Sequence, residues 1–511
     1  MGQALRLPRL FLEVMGSIII LGLGPGDPAL LTREAWDVLS GADEVYLRTV
    51  HHPTLAGLPA GLRVHSFDAA YERADDFGQA YETIANEVLA LGRRPQGAIY
   101  AVPGHPRVGE ATVARILERA AAEGLPVRVV AGLSFVEPAL EALGLDGLDD
   151  LQIADAIGAA ARYHPPLDPD RPALLAQLYS RAVASDVKLT LLNQYPPEHG
   201  VRLVHAAGGA GARVVDVPLV EIDRRDDLTD LTTLFIPALP RAGGFESFQE
   251  TIAHLRAPDG CPWDREQTHQ SLRPYLLEET YEVLEAIDAD DADALREELG
   301  DLLLQVVLQT QVATDAEAFR MPDVIASINE KIVRSHPHVF GDVSVSGVED
   351  VKRNWEAIKQ AEQAGDVKPA RESALDGVAR GLPALAQAEM YGSRAARVGF
   401  DWPDVSGVLD KVAEEIREIA EAREDEARQA EFGDLLLALV NAARWLRIDP
   451  ESALRSANAR WAARFRRVER AARRQGRALH ELSLDELNVL WEAAKVEERG
   501  GQAPALGQTG E

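Results

Sequence analysis

Two pairs of carboxylates in the C-terminal part of the sequence have a spacing that could hold a metal ion. Glu415 and Glu418 are three positions apart, and so are Glu431 and Asp434. Residues three apart share one face of a helix. Apolar residues accompany both pairs, namely Val412, Ile416, Ile419, Leu435, Leu436, Leu437 and Leu439. The pattern predicts two helices, each with a buried side, that fold back on each other through a turn within residues 420–430.

Four carboxylates on the inner face of such a helical hairpin would repel one another unless a cation lies among them. Mg²⁺ prefers oxygen ligands, and it commonly shares its coordination shell with substrate phosphates. The hairpin therefore predicts a Mg²⁺ site that binds a polyphosphate. The alternative is a solvated acidic face, which is the usual explanation for a run of glutamates on a helix.

An internal repeat argues against a solvated acidic face. The same four carboxylates, with the same Gly-Asp-Leu-Leu-Leu core in the second helix, occur upstream as Glu279, Glu282, Glu298 and Asp301. The distance from the first carboxylate to a downstream tryptophan is 76 positions in both cases, ending at Trp355 and at Trp491. Self-similarity of this kind indicates duplication. A solvated acidic face would not require a tryptophan at the same distance along the chain in both copies.

These motifs identify a family. Residues 245–499, with the motif CPWDREQTHQSLRPYLLEETYE at 261–282 and RSHPHVF at 334–340, resemble MazG, the tandem-repeat member of the all-α nucleoside triphosphate pyrophosphohydrolases. The resemblance implies Mg²⁺-dependent cleavage of nucleoside triphosphates to monophosphates and pyrophosphate, as housekeeping of the nucleotide pool. It also implies that Glu415, Glu418, Glu431 and Asp434 are catalytic metal ligands, and that Glu279, Glu282, Glu298 and Asp301 bind metal in the first repeat.

Basic and aromatic residues near the second quartet are the candidates for substrate binding. Lys411, Arg460 and Arg464 would contact the phosphates, since arginine suits bidentate phosphate contacts. The alternative for Lys411 is a solvated ion pair with Glu415 one turn away. Trp491 would stack on the base or border it, and plain core packing is an equal alternative. The corresponding candidates of the first repeat are Lys331 and Trp355.

The two repeats differ in positive charge. Tyr275 occupies the position of Lys411, and Ser335 occupies the position of Arg464. The second repeat is therefore predicted to carry the stronger activity. The family usually has lysine where Arg460 stands, so that this position keeps its charge but not its shape.

Composition limits the environment and the partners. The chain has 511 residues, which favours several domains, and its formal net charge of −29 opposes nonspecific binding to nucleic acid or to anionic lipid. A single cysteine, Cys261, fits a reducing cytoplasm. No apolar run is long enough to span a bilayer, and no signal peptide is recognisable. We therefore expect a cytoplasmic protein without a membrane or nucleic-acid partner.

Strands and helices alternate in the N-terminal half, which predicts an α/β domain with a largely parallel sheet. An apolar strand at 17–23 runs into Gly24, Pro25 and Gly26, and a strand at 97–102 runs into Gly104 and Pro106. Ligands of such sheets bind beyond the carboxyl ends of the strands, where glycine allows close backbone approach. From spacing alone, glycines that only make turns remain the favoured alternative, because GxGPGD is not the dinucleotide motif.

Residues 16–240, through LGLGPGDPALLTREAWDVLSGADEVYLRT, YAVPGHPRVGEATV and VVAGLSFVEPAL, resemble the tetrapyrrole (corrin/porphyrin) methylases. That family binds S-adenosylmethionine in a cleft between two α/β subdomains. The resemblance implies that this cofactor lies against Gly24, Pro25, Gly26, Gly104 and Pro106. A second subdomain would have strands near 188–192, 213–222 and 232–236. Two motifs depart from the family, since His105 replaces the usual aspartate and Ala131 replaces a proline.

The sequence thus predicts a multidomain protein: a flexible extension (1–15), an α/β methylase-like domain of two subdomains (16–240), two all-α MazG repeats (241–362 and 363–499) and a disordered tail (500–511). The predicted activity is nucleoside triphosphate pyrophosphohydrolysis with Mg²⁺ in a homodimer. The alternatives are an S-adenosylmethionine-dependent methyltransferase, or an N-terminal domain that senses this cofactor and regulates the hydrolase.

Overall fold

The computed structural model describes residues 16–351, 353–355, 358, 373–379 and 381–501. The chain divides into two compact units, Met1–Glu266 and Gln267–Glu511. The predicted flexible extension at 1–15, residues 502–511 of the predicted tail and the predicted boundary between the repeats at 362/363 lie outside the described residues.

The first unit begins with a parallel five-stranded sheet. Its strands are β1 Ile18–Gly22, β2 Glu44–Leu47, β3 Arg63–Ser66, β4 Ala98–Val102 and β5 Val127–Val130, in the order β3-β2-β4-β1-β5. The helices of this part are α1 Arg33–Ser40, α2 Asp68–Arg73, α3 Phe77–Gly92, α4 Ala111–Glu123 and α5 Val136–Leu143. Every neighbouring pair of strands is parallel, which confirms the predicted alternation.

A second five-stranded sheet follows in the same unit and is mostly antiparallel. Its strands are β6 Gln152–Asp155, β7 Ala173–Ala176, β8 Gly200–His205, β9 Arg213–Pro218 and β10 Thr232–Ile236, in the order β6-β7-β10-β8-β9. β6 and β7 are parallel, whereas the remaining neighbours are antiparallel. Two short helices accompany it, α6 Ala156–Ala160 and α7 Arg181–Leu191.

The strand predicted at 188–192 is wrong, because that segment belongs almost wholly to α7. Ser180 caps the helix by accepting a hydrogen bond from the Val183 amide at 3.3 Å. Ala184, Val187 and Leu191 are buried at a helical spacing. A short apolar run cannot be assigned to a strand or a helix by its own periodicity, and here the cap upstream decides.

The chain that leaves the second sheet remains attached to the first unit. The backbone amides of Gly243 and Gly244 donate to the Asp170 carboxylate at 2.7 and 2.8 Å. Helices α8 Phe245–Arg256 and α9 Pro262–Glu266 follow. The domain boundary at 240/241 stays a prediction, and the division into compact units falls after α9.

The described part of the second unit is helical. The first repeat contains α10 Arg273–Ala289, α11 Ala292–Asp315, α12 Met321–Ser335 and α13 Pro337–Phe340. The second contains α14 Ala384–Arg397, α15 Val405–Glu421, α16 Asp425–Trp445, α17 Pro450–Arg474 and α18 Leu484–Gly501. The turn predicted within 420–430 lies between α15 and α16, so the helical hairpin is confirmed. α18 continues two residues into the predicted tail.

The leucine run of α16 is partly exposed. Leu436, Leu437 and Leu439 are 41–49% exposed within the single chain. The buried residues of this helix are smaller ones, Ala438, Val440 and Ala442. A helix in a hairpin buries one stripe, and consecutive apolar residues extend well beyond that stripe. The predicted buried side of this helix is therefore present, and the exposed leucines leave an apolar surface on the single chain.

Candidate active site

The acidic site of the second repeat is built by the α15–α16 hairpin. The Asp404 carboxylate starts α15 by accepting hydrogen bonds from the amides of Ser406 and Gly407. This start places Glu415 and Glu418 one turn apart on α15, opposite Glu431 on α16. One carboxylate oxygen from each of Glu415, Glu418 and Glu431 lies within 4.8 Å of the other two. Three of the four predicted ligands are thus brought together.

Glu415 is the buried member of this cluster, with only 3% of its surface exposed. Its Oε1 accepts a hydrogen bond from Lys411 Nζ at 2.7 Å. Its Oε2 is buried and has no hydrogen-bond partner in the part of the chain that the structure describes. A buried carboxylate oxygen without a partner is costly. A bound cation would remove that cost, so the residues present fit a hard divalent ion.

Lys411 is a basic residue that contacts the carboxylates of this site. Its Nζ contacts Glu414 at 3.0 Å as well as Glu415, and these hydrogen bonds raise the pKa of Lys411 above its usual range. Desolvation raises the pKa of Glu418; Lys411 opposes that shift, and Glu415 and Glu431 add to it. The ion pair with Glu415, which was the alternative for Lys411, is therefore present at the edge of the acidic cluster.

Asp434 lies beside the cluster rather than in it. It lines a cavity of about 450 Å³ together with Lys411 and Glu415. The three-carboxylate group that could hold an ion does not include it. The assignment of Asp434 as a metal ligand therefore stays a prediction, and its place in the cavity wall is the structural fact.

The first repeat presents the same cluster without a lysine. One oxygen from each of Glu279, Glu282 and Glu298 lies within 4.8 Å of the others. Desolvation, followed by repulsion from Asp301 and Glu282, raises the pKa of Glu279. The pKa of Glu298 is raised by desolvation and by the same two neighbours. Asp301 thus acts on the cluster through its charge, and its assignment as a ligand stays a prediction.

The predicted phosphate-binding arginines lie on α17, apart from the carboxylates. Arg464 Nε contacts Glu498 Oε2 of α18 at 2.5 Å. Arg464, then Arg467 and Arg460, hold the pKa of Glu498 below its usual range. Within the described residues, neither Arg460 nor Arg464 forms a hydrogen bond or ion pair with the acidic cluster. Their role in phosphate binding stays a prediction.

Trp491 packs against other aromatic side chains. Its ring lies 5.9 Å from that of Trp461, which stacks on Phe465 at 5.1 Å. This contact favours the packing alternative. Lys331 is exposed on α12, and Trp355 is 49% exposed. The roles of Trp491, Lys331 and Trp355 in substrate binding stay predictions.

Sequence reasoning missed one side of the cavity next to Glu415. Asp401, Trp402, Asn441 and Arg444 line it, and none of them belongs to the ExxE or ExxD motifs. A signal was available in the repeat. Asn441 stands seven residues after Asp434, whereas the residue seven after Asp301 is Leu308. A polar residue in one copy and an apolar one in the other marks a position where the two sites differ.

In the first unit, the predicted cofactor loops meet beyond the ends of β1 and β4. The amide of Gly24 donates to the Gly104 carbonyl at 3.2 Å, and the amide of Gly104 donates to the Gly24 carbonyl at 2.8 Å. Both residues have positive φ, 73° and 64°, which favours glycine. Pro25 and Gly104 line a cavity of about 150 Å³. Gly26 and Pro106 lie in the same loops outside its lining.

Ionisable groups that sequence reasoning did not single out also line this smaller cavity. Arg48 Nη1 contacts Glu110 Oε1 at 2.6 Å. Burial raises the pKa of Glu110 to about 7, against the opposing effect of Arg48. His52 is buried, its Nδ1 has no hydrogen-bond partner among the described residues, and burial lowers its pKa to about 4. The cavity therefore offers both charge and unused hydrogen-bonding capacity.

Comparison with known proteins agrees with the division of the chain into an α/β methylase-like part and a helical part. Residues 267–340 match the family described as MazG nucleotide pyrophosphohydrolase domain, and residues 17–223 match the Tetrapyrrole (Corrin/Porphyrin) Methylases. The chain is 44% identical over 254 residues to the nucleoside triphosphate pyrophosphohydrolase/pyrophosphatase MazG of Thermotoga maritima, covering 49% of this chain and 95% of that protein. This chain belongs to the MazG family. Its first unit contains the tetrapyrrole methylase domain.

Two further relatives cover different extents of this MazG-family chain. The nucleoside triphosphate pyrophosphohydrolase of Escherichia coli K12 is 46% identical over 253 residues, which is 48% of this chain and 95% of that protein. The uncharacterized protein YabN of Bacillus subtilis is 42% identical over 493 residues, covering 95% of this chain and 99% of that protein. The arrangement of both parts in one chain is therefore shared with the Bacillus protein.

Solved structures resemble the methylase part. Uroporphyrin-III-C-methyltransferase from Thermus thermophilus aligns with 44% of this chain and 93% of its own, at 24% identity and a TM-score of 0.34.

Among the described helices, none is both long enough and apolar enough to cross a membrane.

Proposed function

We propose that this chain hydrolyses nucleoside triphosphates to nucleoside monophosphates and pyrophosphate at the acidic site of the second repeat, with Mg²⁺. The observation that carries the proposal is the buried, unpartnered Oε2 of Glu415, next to the carboxylates of Glu418 and Glu431. Relatives named as nucleoside triphosphate pyrophosphohydrolases, over 95% of their own length, support the same reaction.

Glu415, Glu418 and Glu431 would hold the ion, with Asp434 as the predicted fourth ligand. Bound Mg²⁺ supplies charge neutralisation for the phosphates and lowers the pKa of a bound water. Lys411 adds a fixed positive charge at the same edge and would bind a phosphate oxygen. A carboxylate of the site that does not bind the ion would take up the proton of the attacking water. The water oxygen bonds to phosphorus while the α–β linkage breaks, and pyrophosphate leaves.

The test is hydrolysis of a panel of nucleoside triphosphates by the full chain with Mg²⁺, with products separated by chromatography. Replacing an outer partner of a metal ligand typically costs 10–100-fold, so Glu415→Gln, which alters a ligand itself, should lower kcat by at least about 100-fold. The matched variant Glu279→Gln should lower it less than about threefold. Absence of pyrophosphate with the wild-type chain would overturn the proposal. Loss in the Glu279 variant alone would move the activity to the first repeat.

We further propose a homodimer. The exposed apolar residues Leu436 and Leu439 belong to a surface that a second copy could cover, since extended apolar surface marks interaction sites. Light scattering coupled to size exclusion should give twice the mass of the chain, and a monomer at micromolar concentration would contradict the proposal. The single cysteine and the strong negative charge support a cytoplasmic location without a nucleic-acid partner.

A second candidate function belongs to the first unit, where Pro25, Gly104, Arg48 and His52 line one cavity. We propose that this cavity binds S-adenosylmethionine, either as methyl donor or as a regulatory ligand. Calorimetric titration with S-adenosylmethionine and its demethylated product tests binding, and absence of heat with both would exclude this function. Binding that changes the rate of triphosphate hydrolysis would indicate regulation. The replacements at His105 and Ala131 leave methyl transfer itself the weaker alternative.

A further inference from the structure

The cavity beside the acidic cluster of the second repeat extends well beyond the carboxylates. It has a volume of about 450 Å³ and is walled by α14, α15 and α16. Pockets for small organic ligands have volumes of roughly 300–1,000 Å³. Because Glu415 and Lys411 form one end of it, a triphosphate at the cluster would have the rest of its molecule in or near this space.

Small residues and aromatic rings shape the cavity. Ala388, Gly392 and Ala395 of α14 and Ala438 of α16 line it, and their small size leaves space. Tyr391 and Trp402 provide flat apolar walls. Trp402 lies against Gly407, where a Cβ atom would come within 2.6 Å of the indole ring. Flat aromatic walls suit a planar heteroaromatic group, because such rings stack.

A chain of hydrogen bonds orients one polar group in the wall. Arg444 Nη2 donates to Asp401 Oδ1 at 2.5 Å, and Arg444 Nε donates to Asn441 Oδ1 at 2.8 Å. Asp401 Oδ1 also accepts from Trp445 Nε1 at 3.1 Å. Since arginine only donates, the amide oxygen of Asn441 must face it. The Asn441 Nδ2 group is thereby left as a donor, with no hydrogen-bond partner among the described residues.

We propose that this cavity is the nucleobase pocket of the second repeat and that Asn441 is its specificity-determining residue. The proposal rests on the proposed function, and it assigns the base to α14 and α16 rather than to Trp491. The Nδ2 donor reads a hydrogen-bond acceptor of the base, such as a ring carbonyl. It disfavours a base that presents an amino group at that point, because two donors would then face each other unpaired.

The first repeat lacks the same features at matching positions of α11. Gln305 stands in place of Ala438, and Leu308 stands in place of Asn441. Both are buried, at 5% and 4% exposure. A larger side chain therefore replaces Ala438, and an apolar group replaces the donor. These two positions, like that of Lys411, therefore favour substrate binding by the second repeat.

Three variants of the full chain test the assignment. Asn441→Asp keeps an acceptor for Arg444 and replaces the donor by a second acceptor. Asn441→Leu and Ala438→Gln introduce the residues of the first repeat. Affinity for nucleoside monophosphates is measured by calorimetry, which does not need catalysis, and KM and kcat are measured for GTP, UTP, ATP and CTP. Thermal melting verifies folding.

Loss of one hydrogen bond to the base should weaken monophosphate binding and raise KM about tenfold in Asn441→Leu, with a smaller change in kcat. Ala438→Gln should weaken binding of all four nucleotides similarly. Asn441→Asp should shift the ratio of kcat/KM at least about threefold toward ATP and CTP. Folded variants that leave monophosphate affinity and these ratios unchanged would overturn the proposal, and a Trp491→Leu variant that alone raises KM would place the base there.

The calorimetric measurement separates this inference from the proposed function. If the wild-type chain binds nucleoside monophosphates and Asn441→Leu weakens that binding, the pocket stands even when no triphosphate is cleaved. If triphosphates are cleaved and none of the three variants changes KM or affinity, the hydrolase stands and the pocket assignment fails.

Discussion

The two MazG repeats have the same acidic cluster but differ in the residue that stands beside it. In the second repeat Lys411 contacts the buried Glu415 at 2.7 Å. In the first repeat Tyr275 takes that position, and the mutual repulsion of the carboxylates contributes to the raised pKa values of Glu279 and Glu298. Duplication therefore preserved the arrangement of three close carboxylates, whereas the groups that would meet the substrate diverged.

The space beside each cluster shows the same divergence. Ala438 and Asn441 border an open cavity in the second repeat. Gln305 and Leu308 occupy the matching positions in the first and are buried, and the Oε1 atom of Gln305 has no hydrogen-bond partner among the described residues. A buried polar atom without a partner costs stability. At these positions the second repeat therefore has a small and a polar residue beside an open cavity, whereas the first has two larger, buried residues.

The comparison of the two repeats predicts its largest effect for the variant Lys411→Met. Hydrogen bonds to charged groups contribute about 1.5–3 kcal/mol, so removal of a phosphate contact should lower kcat/KM for triphosphates by roughly 10- to 100-fold. Steady-state kinetics of pyrophosphate release measures it. The matched variant Tyr275→Met should stay within about twofold. A Lys411 variant with wild-type kinetics would show that the lysine only balances the charge of Glu414 and Glu415.

An intermediate effect is expected from Mg²⁺ on thermal stability. The folded chain holds protons on Glu279 and Glu298 more tightly than the unfolded chain, because both pKa values are raised. Without metal, stability should therefore fall as pH rises above the usual carboxyl range. Mg²⁺ removes the repulsion, so its stabilising effect should grow with pH, to at least about 2 °C in Tm near neutral pH.

Differential scanning calorimetry at about pH 5 and about pH 7.5, with and without Mg²⁺, measures this difference. The double variant Glu279→Gln/Glu298→Gln should lose at least half of the pH-dependent part. An Mg²⁺ effect that is equal at both pH values, or larger at the lower one, would argue against metal binding in the first repeat.

The smallest effect concerns an ion pair that joins the repeats. Arg455 Nε of α17 contacts Asp288 Oδ2 of α10 at 2.9 Å, with both side chains about one-quarter to one-third exposed. A double-mutant cycle with Arg455→Ala and Asp288→Ala should give a coupling of about 0.5 kcal/mol in the free energy of unfolding. The more exposed pair Arg33–Asp37 serves as control and should give less. A coupling of zero would mean that the repeats gain no stability from this contact.

Regular spacing made much of this protein predictable. The three-residue spacing of the carboxylates placed Glu415 and Glu418 on one helical face, and their helical hairpin is present. The strands at 17–23 and 97–102 were correctly predicted, because a continuous apolar run that ends in turn residues is typical of a buried parallel strand. The strand expected at 188–192 was wrong because a short apolar run fits either element, and the cap at Ser180 acts from outside that run.

Residue order along the chain therefore determined the elements, the repeat and the identity of the acidic groups, since these follow from local periodicity and from comparison of one segment with another. Tertiary structure alone decided that three carboxylates converge while Asp434 borders the cavity. It also decided that Lys411 contacts Glu415, that Arg444 orients Asn441 and that Trp491 packs on Trp461. These outcomes depend on how helices cross, and differences of a few ångströms between helices leave no local pattern in the sequence.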